Sequence, residues 1–320
     1  MPPDATAQKP SLESKALRPW VRRYLTYYLR GERNASPLTV RNYRSDLEDF
    51  FRFLREKGLD ALTQVDRGTV RGYLAWLHQQ GLVRASIVRK LSTARSFYRF
   101  LQREQAVGAN PLEQVRGPKL ERRLPSFLSQ AEMRQFLELV DASTPLGLRD
   151  KALLELLYAS GLRVSEVVSL NLADIHFATG EIRVWGKGSK ERVVLMGIPA
   201  RQALIDYINH GRPQLLQGRQ EPAVFVNRFG KRLSQRWVQM IIARHAQRMG
   251  LGTKATPHVF RHSFATHLLD GGADLRVVQE LLGHSKLSTT QIYTHVTQAQ
   301  ARRVYLAGHP RAKPKEGEKP

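Results

Sequence analysis

Residues 174–196 read DIHFATGEIRVWGKGSKERVVLM, and this stretch interrupts an otherwise helical pattern. Ile182 and Val184 alternate with polar neighbours, the period of a half-buried strand. GKGS supplies a turn, Val193–Leu195 continue as the partner strand, and a shorter strand is expected around Ile175–Phe177. The region is therefore read as mainly helical with a small three-stranded antiparallel sheet.

Helical patterns surround this hairpin. Downstream they run through 199–210, 233–249, 261–270 and 274–282, and upstream SQAE at Ser129–Glu132 forms a capping box that opens a helix. Further upstream, GANPLEQVRGPKLERRLP at 108–125 holds three prolines and two glycines without periodicity, and marks a domain boundary. Before it lie four amphipathic patterns. The second begins at Ser36-Pro37 and carries Val40, Tyr43, Leu47, Phe50 and Leu54 at steps of three and four. The third starts at Asp66, and the fourth buries Ile87, Leu91, Ala94, Tyr98 and Leu101. The expected organisation is a polar, disordered 1–12, a helical domain over 13–107, a linker over 108–125, a second domain over 126–310 and a mobile tail over 311–320.

The chain of 320 residues has 42% hydrophobic residues, enough for two packed cores, and a formal charge of +23. The basic excess divides almost evenly between the two halves, as expected if both grip one polyanion. No long apolar run or basic amphipathic anchor points to a membrane, and MPPDATAQKPSLESK lacks the apolar core of a signal peptide. The absence of cysteine excludes disulfides and thiolate metal sites, and is compatible with a cytoplasmic protein. Basic residues recur on several helices of the first domain, which reads as a phosphate-tracking surface. Arg41, Arg44, Arg89, Lys90, Arg95 and, at the hairpin, Lys190 are the candidate DNA-binding residues.

Four local clusters carry the candidate chemistry. YASGLRVSEVVSL places Arg163 three residues before Glu166, either as a surface pair or as a buried guanidinium oriented by Glu166 with donors left for a phosphate. GKGSKER puts Lys187 at the hairpin tip, with Lys190 and Arg192 competing for the same role. TPHVFRHSFATHLL sets His258 and Arg261 on one face near a helix start, a placement that suits an anion, while Phe260, Phe264 and Leu268 belong to the core. His258, His262 and His267 follow at steps of four and five, which do not hold three imidazoles together, and no acidic ligand accompanies them. No metal or other cofactor is therefore expected. LLGHSKLSTTQIYTHV supplies His284 and, nine residues later, Tyr293.

Together these residues suit one task. A phosphodiester under attack gains a second negative charge in its pentavalent transition state, and two guanidiniums with an imidazole can stabilise it without a metal. A tyrosine oxygen forms a phosphoester that can later be displaced, and an ammonium can protonate the departing sugar oxygen.

The four boxes, in this order and spacing, closely resemble the tyrosine site-specific recombinases of the phage-integrase family, within them the Xer type and its XerC branch more than XerD. The likeness spans nearly the whole chain, from about Trp20 to the HPRAK near 309–313. It implies Tyr293 as the nucleophile of a 3′-phosphotyrosyl link, Arg163, Arg261 and His284 as stabilisers of the phosphorane, and Lys187 as general acid. His258 would be a base or hydrogen-bonding partner, and Glu166 would orient Arg163. The implied fold is mainly α, an N-terminal four-helix core-binding (SAM-like) bundle and a helical catalytic domain closing as a C-shaped clamp on duplex DNA. Four protomers would exchange strands through a Holliday junction, each C-terminal helix, here about Thr297–Gly308, docking on a neighbour. Xer recombinases resolve chromosome dimers at a dif-like site, often with a paired XerD-like recombinase and the FtsK translocase. A phage or transposon integrase, and a non-catalytic architectural DNA-binding protein, are the alternative expectations.

Overall fold

The computed structural model describes residues 14–120, 127–185, 191–283 and 298–312. The chain divides into two compact units, residues 1–122 and 123–320.

In the first unit, helix α1 (Ser14–Arg23) runs on as a π-helical stretch, Tyr24–Glu32, and is followed by α2 (Pro37–Glu56), α3 (Arg67–Gln79) and α4 (Arg84–Arg103). Two of these starts are set by short-range chemistry. The Ser36 side chain accepts from the Thr39 amide at 3.2 Å with Pro37 at the first helical position, and Asp66 accepts from the Thr69 amide at 2.7 Å. The apolar faces meet in an aromatic core: Phe50 lies edge-on to Tyr73 with centroids 4.9 Å apart, and Tyr24 edge-on to Phe97 at 5.2 Å.

A buried ionic cluster ties α2 to α4. Asp46, 1% exposed, accepts from Lys90 at 3.1 Å and from Thr93 at 2.9 Å, and also pairs with Arg89; Lys90 additionally pairs with Asp49. Lys90 is itself buried, so its ammonium is committed between two helices and does not present itself to a phosphate, contrary to the surface role expected of it. Arg95 is likewise engaged inward. Its Nε and Nη2 donate to the carbonyls of Leu112 and Val115 at 2.9 and 2.7 Å. That brace, with Leu112 and Val115 buried in the aromatic core, packs the first part of the expected linker onto this unit. Arg41 and Arg44 are exposed, and Arg89 is exposed while paired with Asp46.

The second unit opens with α5 (Gln130–Glu138), whose Ser129–Glu132 capping box has both of its bonds. Helix α6 (Pro145–Ser160) runs through the core with most of its residues buried, and α7 (Val164–Ser169) follows. Strands β1 (Ile175–His176), β2 (Glu181–Trp185) and β3 (Glu191–Leu195) form an antiparallel sheet in that order. Its register sets Ile182 opposite Val194 and Val184 opposite Arg192. Side chains two apart share a face, so Arg192 lies on the same inward face as the buried Val194. Then come α8 (Gly197–Asp206), α9 (Arg212–Leu216), α10 (Gln235–Arg248), α11 (Pro257–Asp270), α12 (Leu275–Leu282) and α13 (Gln298–Gly308).

Helix α13 packs against α11 and α12 of its own chain, whereas the resemblance implies docking on a neighbour. Tyr305 and Ala312 join the small core around Phe264, Leu268, Val277 and Leu281. His309 is buried beside the rings of Tyr158, Phe264 and Tyr305, at 4.9, 5.1 and 5.2 Å. Burial, with His267 and Arg311 nearby, pulls its pKa down to about 3. Its Nδ1 accepts from the Arg311 amide at 3.1 Å, a bond that protonation there would break.

A histidine kept neutral on folding stabilises fully above its unfolded pKa, and the stabilisation is lost as pH falls below about 6.5, by up to about 1.4 kcal/mol per pH unit. Amide protection of α13, corrected for intrinsic exchange, is therefore expected to drop between pH 7.5 and 5.5, and to drop less in His309→Phe. Equal protection at the two pH values contradicts this expectation.

Candidate active site

The site is built on one buried carboxylate. Glu166 lies on α7 at 5% exposure and accepts four bonds. Arg163 gives its backbone amide at 2.8 Å and its Nη1 at 2.9 Å, closing a box around the start of α7. Arg192 arrives from β3 and grips both oxygens, Nη1 to Oε1 at 2.8 Å and Nη2 to Oε2 at 2.9 Å. Burial alone would raise this carboxyl, but the bonds from Arg192 and Arg163 outweigh it and hold Glu166 below the ordinary glutamate range.

The same arginines converge on the end of α12. Arg192 Nε donates to the carbonyl of Leu281 at 3.4 Å, Arg261 Nη2 to Leu282 at 2.5 Å, and Arg163 Nη2 to Gly283 at 3.3 Å. Three successive carbonyls at a helix C-terminus, the negative pole of its dipole, thus each receive a different guanidinium. Gly283 closes α12 in the left-handed region at φ +64°. Arg261, one turn into α11, also donates to the carbonyl of Gly161 at 2.6 Å, so it bridges the ends of α6 and α12. Burial and the neighbouring Arg163 cation pull the Arg261 pKa down to about 10, which leaves it protonated at neutral pH.

Gly161 ends α6 at φ +58°, where a Cβ would lie 2.5 Å from the Phe264 ring. Gly161→Ala is expected to destabilise the second unit by about 2–5 kcal/mol, combining a left-handed backbone without glycine and overpacking against a core ring. Urea unfolding checks it, and a loss below about 1 kcal/mol would show that Phe264 gives way.

Arg163, Glu166 and Arg261, expected from the sequence as site residues, are brought together. His258 sits exposed on the first turn of α11, one turn ahead of Arg261; Thr256 caps that turn by accepting from the Val259 amide at 3.3 Å. Lys187, Lys190, His284 and Tyr293 lie outside the described residues. In sequence, the two lysines fall between β2 and β3, and His284 directly follows the carbonyl that Arg163 holds. Arg192, which the sequence offered only as a rival to Lys187, is a central member of the cluster. The available signal was its register: two residues from Val194, it belongs to the buried face of its strand.

Three guanidiniums around one carboxylate leave an excess of positive charge. Arg163 keeps 39% of its side chain exposed, against 15% for Arg192 and 5% for Glu166. Such an array suits a phosphoryl group that gains charge during reaction.

Comparison with known proteins bears on which reaction. The sequence profile of the phage integrase family matches residues 126–300, and that of the phage integrase N-terminal SAM-like domain matches residues 21–105. Tyrosine recombinase XerC of Pelotomaculum thermopropionicum is 47% identical over 295 residues, covering 89% of this chain and 96% of the relative. XerC of Oceanobacillus iheyensis is 50% identical over 287 residues, covering 89% and 94%, and XerD of the same organism is 44% identical over 288, covering 89% and 97%. Among solved structures, XerH bound to a palindromic difH substrate superposes with a TM-score of 0.66 at 23% identity, covering 88% of this chain and 80% of that one. A lambda integrase dimer on a core site gives 0.65 at 20%, covering 88% and 99%. These last two likenesses are of fold.

Proposed function

We propose, from the premise that this chain belongs to the phage integrase family as a tyrosine recombinase of the Xer type, that it cuts and rejoins duplex DNA through a 3′-phosphotyrosyl intermediate. The observation that carries the reading is the convergence of Arg163 and Arg261 on the last carbonyls of α12, immediately before the segment that holds His284 and Tyr293. Tyr293 Oη attacks the scissile phosphorus, the phosphorane gains charge, and the guanidiniums with His284 balance it. The bond to the sugar 5′-oxygen breaks, and Lys187 gives that oxygen its proton. His258, as base or hydrogen-bonding partner, takes up the proton that Tyr293 loses. In the second half the 5′-hydroxyl of another strand displaces Tyr293, conserving the phosphodiester energy and making a Holliday junction.

The biological task we infer is resolution of chromosome dimers at a dif-like site. It would use a tetramer of this chain alone or with an XerD-like partner, acting with the FtsK translocase in the cytoplasm. The XerC and XerD likenesses of this chain support that reading. The basic excess of both halves supplies the grip on phosphate, and among the described residues no helix is long and apolar enough to cross a membrane.

The test is capture of the intermediate. Nicked duplex carrying a dif-like site, chosen by its binding to the wild-type chain, is incubated with the protein, denatured and digested with trypsin. The DNA is expected on the peptide 287–302, LSTTQIYTHVTQAQAR, whose only tyrosine is Tyr293. Tight, salt-sensitive binding with no adduct on any such duplex would instead mark a non-catalytic DNA-binding protein.

A further inference from the structure

Among the arginines of the site, Arg192 has no part in the chemistry just described, yet it makes the most complete contact. Both of its terminal nitrogens bond Glu166, and its Nε reaches the Leu281 carbonyl. Arg163 makes one side-chain bond to the same carboxylate and stays the more open of the two. The bidentate pairing, the stronger and more directional one, thus belongs to the buried residue.

A charge count shows what this arrangement does. Two guanidiniums and one carboxylate carry one net positive charge. With both oxygens of Glu166 occupied by Arg192, the surplus sits on Arg163, the member open to a ligand. Without Arg192 the buried carboxylate would need another cation, since an unpaired buried charge is strongly disfavoured. Arg163 is the neighbour able to supply it, by turning both terminal nitrogens onto Glu166. A guanidinium paired in that way has little charge or donor capacity left for a phosphate.

We infer that Arg192 is a positioning residue for strand cleavage: it neutralises Glu166, so that the charge of Arg163 stays free for the scissile phosphate of DNA. This inference rests on the recombinase reading. Its location supports it. The strand register that faces Arg192 inward also places it against Gly283, where an added Cβ would meet its guanidinium at 3.1 Å, so the space it occupies is closely fitted. The Glu166 carboxyl held below its ordinary range is what two cations on one carboxylate produce.

The test uses the full chain and the nicked dif-like duplex selected by wild-type binding, comparing duplex affinity with the first-order rate of adduct formation at saturating DNA. Arg192→Gln is expected to bind as wild type and to form adduct about 100-fold more slowly, as when one transition-state donor is lost. The double variant Glu166→Gln, Arg192→Gln restores the net charge of one, and is expected to regain at least about tenfold of that rate. If Arg192 only supports the fold, removing Glu166 as well gives no recovery. A single variant within about threefold of wild type, or a double no faster than the single, overturns the inference. Should wild type itself form no adduct, the recombinase reading fails, and a crystal structure of Arg192→Gln still decides whether Arg192 is what keeps Arg163 off Glu166. Arg163 is expected on both oxygens of Glu166 and off the Gly283 carbonyl; an Arg163 that has not moved overturns it.

Discussion

Tyr293→Phe is expected to bind the nicked duplex with wild-type affinity and to form no detectable covalent adduct. The substitution removes one oxygen and leaves ring, volume and charge unchanged, so contacts that hold DNA through its phosphates are untouched. What disappears is the nucleophile. Thr290, Thr294 and Ser288 stand nearby in sequence, but their alkyl hydroxyls form far less of the oxyanion than a phenol does and leave more reluctantly in the second half-reaction. Binding and covalent capture should therefore separate completely. An adduct that survives in Tyr293→Phe would move the nucleophile elsewhere and sink the assignment of roles built on it.

Arg261→Ala is expected to lower adduct formation by about 1,000-fold at saturating DNA, at the upper end for loss of one preorganised donor group. Two effects combine. The cation itself is lost, and so is the bridge that ties the Gly161 carbonyl to the Leu282 carbonyl. Both carbonyls then lack that donor, and the end of α12, from which His284 departs, loses one of its three anchors. Arg261→Lys should fall between the two. Its ammonium keeps the charge on a flexible stem but cannot span two carbonyls in the fixed fork of a guanidinium while facing a phosphate. Single-turnover rates with affinity measured in parallel check this, and an alanine variant within about tenfold of wild type would show that the charge of Arg163 suffices.

What is legible in the sequence is what depends on neighbours in sequence. The caps at Ser36, Asp66 and Ser129 involve partners three residues away, so the starts of α2, α3 and α5 were visible in the residues themselves. The hairpin was visible for the same reason, through the alternation of Ile182 and Val184. Arg163 and Glu166 were a readable pair, because one turn of helix separates them. A role assigned by a distant element is not legible in this way. A stripe of cations along the fourth helical pattern does not say which of them meets Asp46 on α2, and so it makes Lys90 and Arg95 look like surface contacts, whereas one is buried in an ionic cluster and the other braces residues 112–115. The position of Arg192 on the inward face of β3 was legible by period. Its partners were not, because Glu166 lies 26 residues away and Leu281 lies 89 away.

The grip on the end of α12 has a consequence for how the site tolerates change. All three arginines there hold main-chain oxygens, so no side-chain replacement at Leu281 or Leu282 can delete a contact directly, provided the helix still forms and its apolar face still packs. The vulnerable property is backbone shape. Gly283, left-handed and pressed against Arg192, is the position where a side chain would misplace the carbonyl that Arg163 holds. A saturation library across 281–283 should therefore show two apolar positions that accept many aliphatic residues beside one that accepts almost nothing. That is a pattern of constraint written in main-chain geometry rather than in side-chain chemistry.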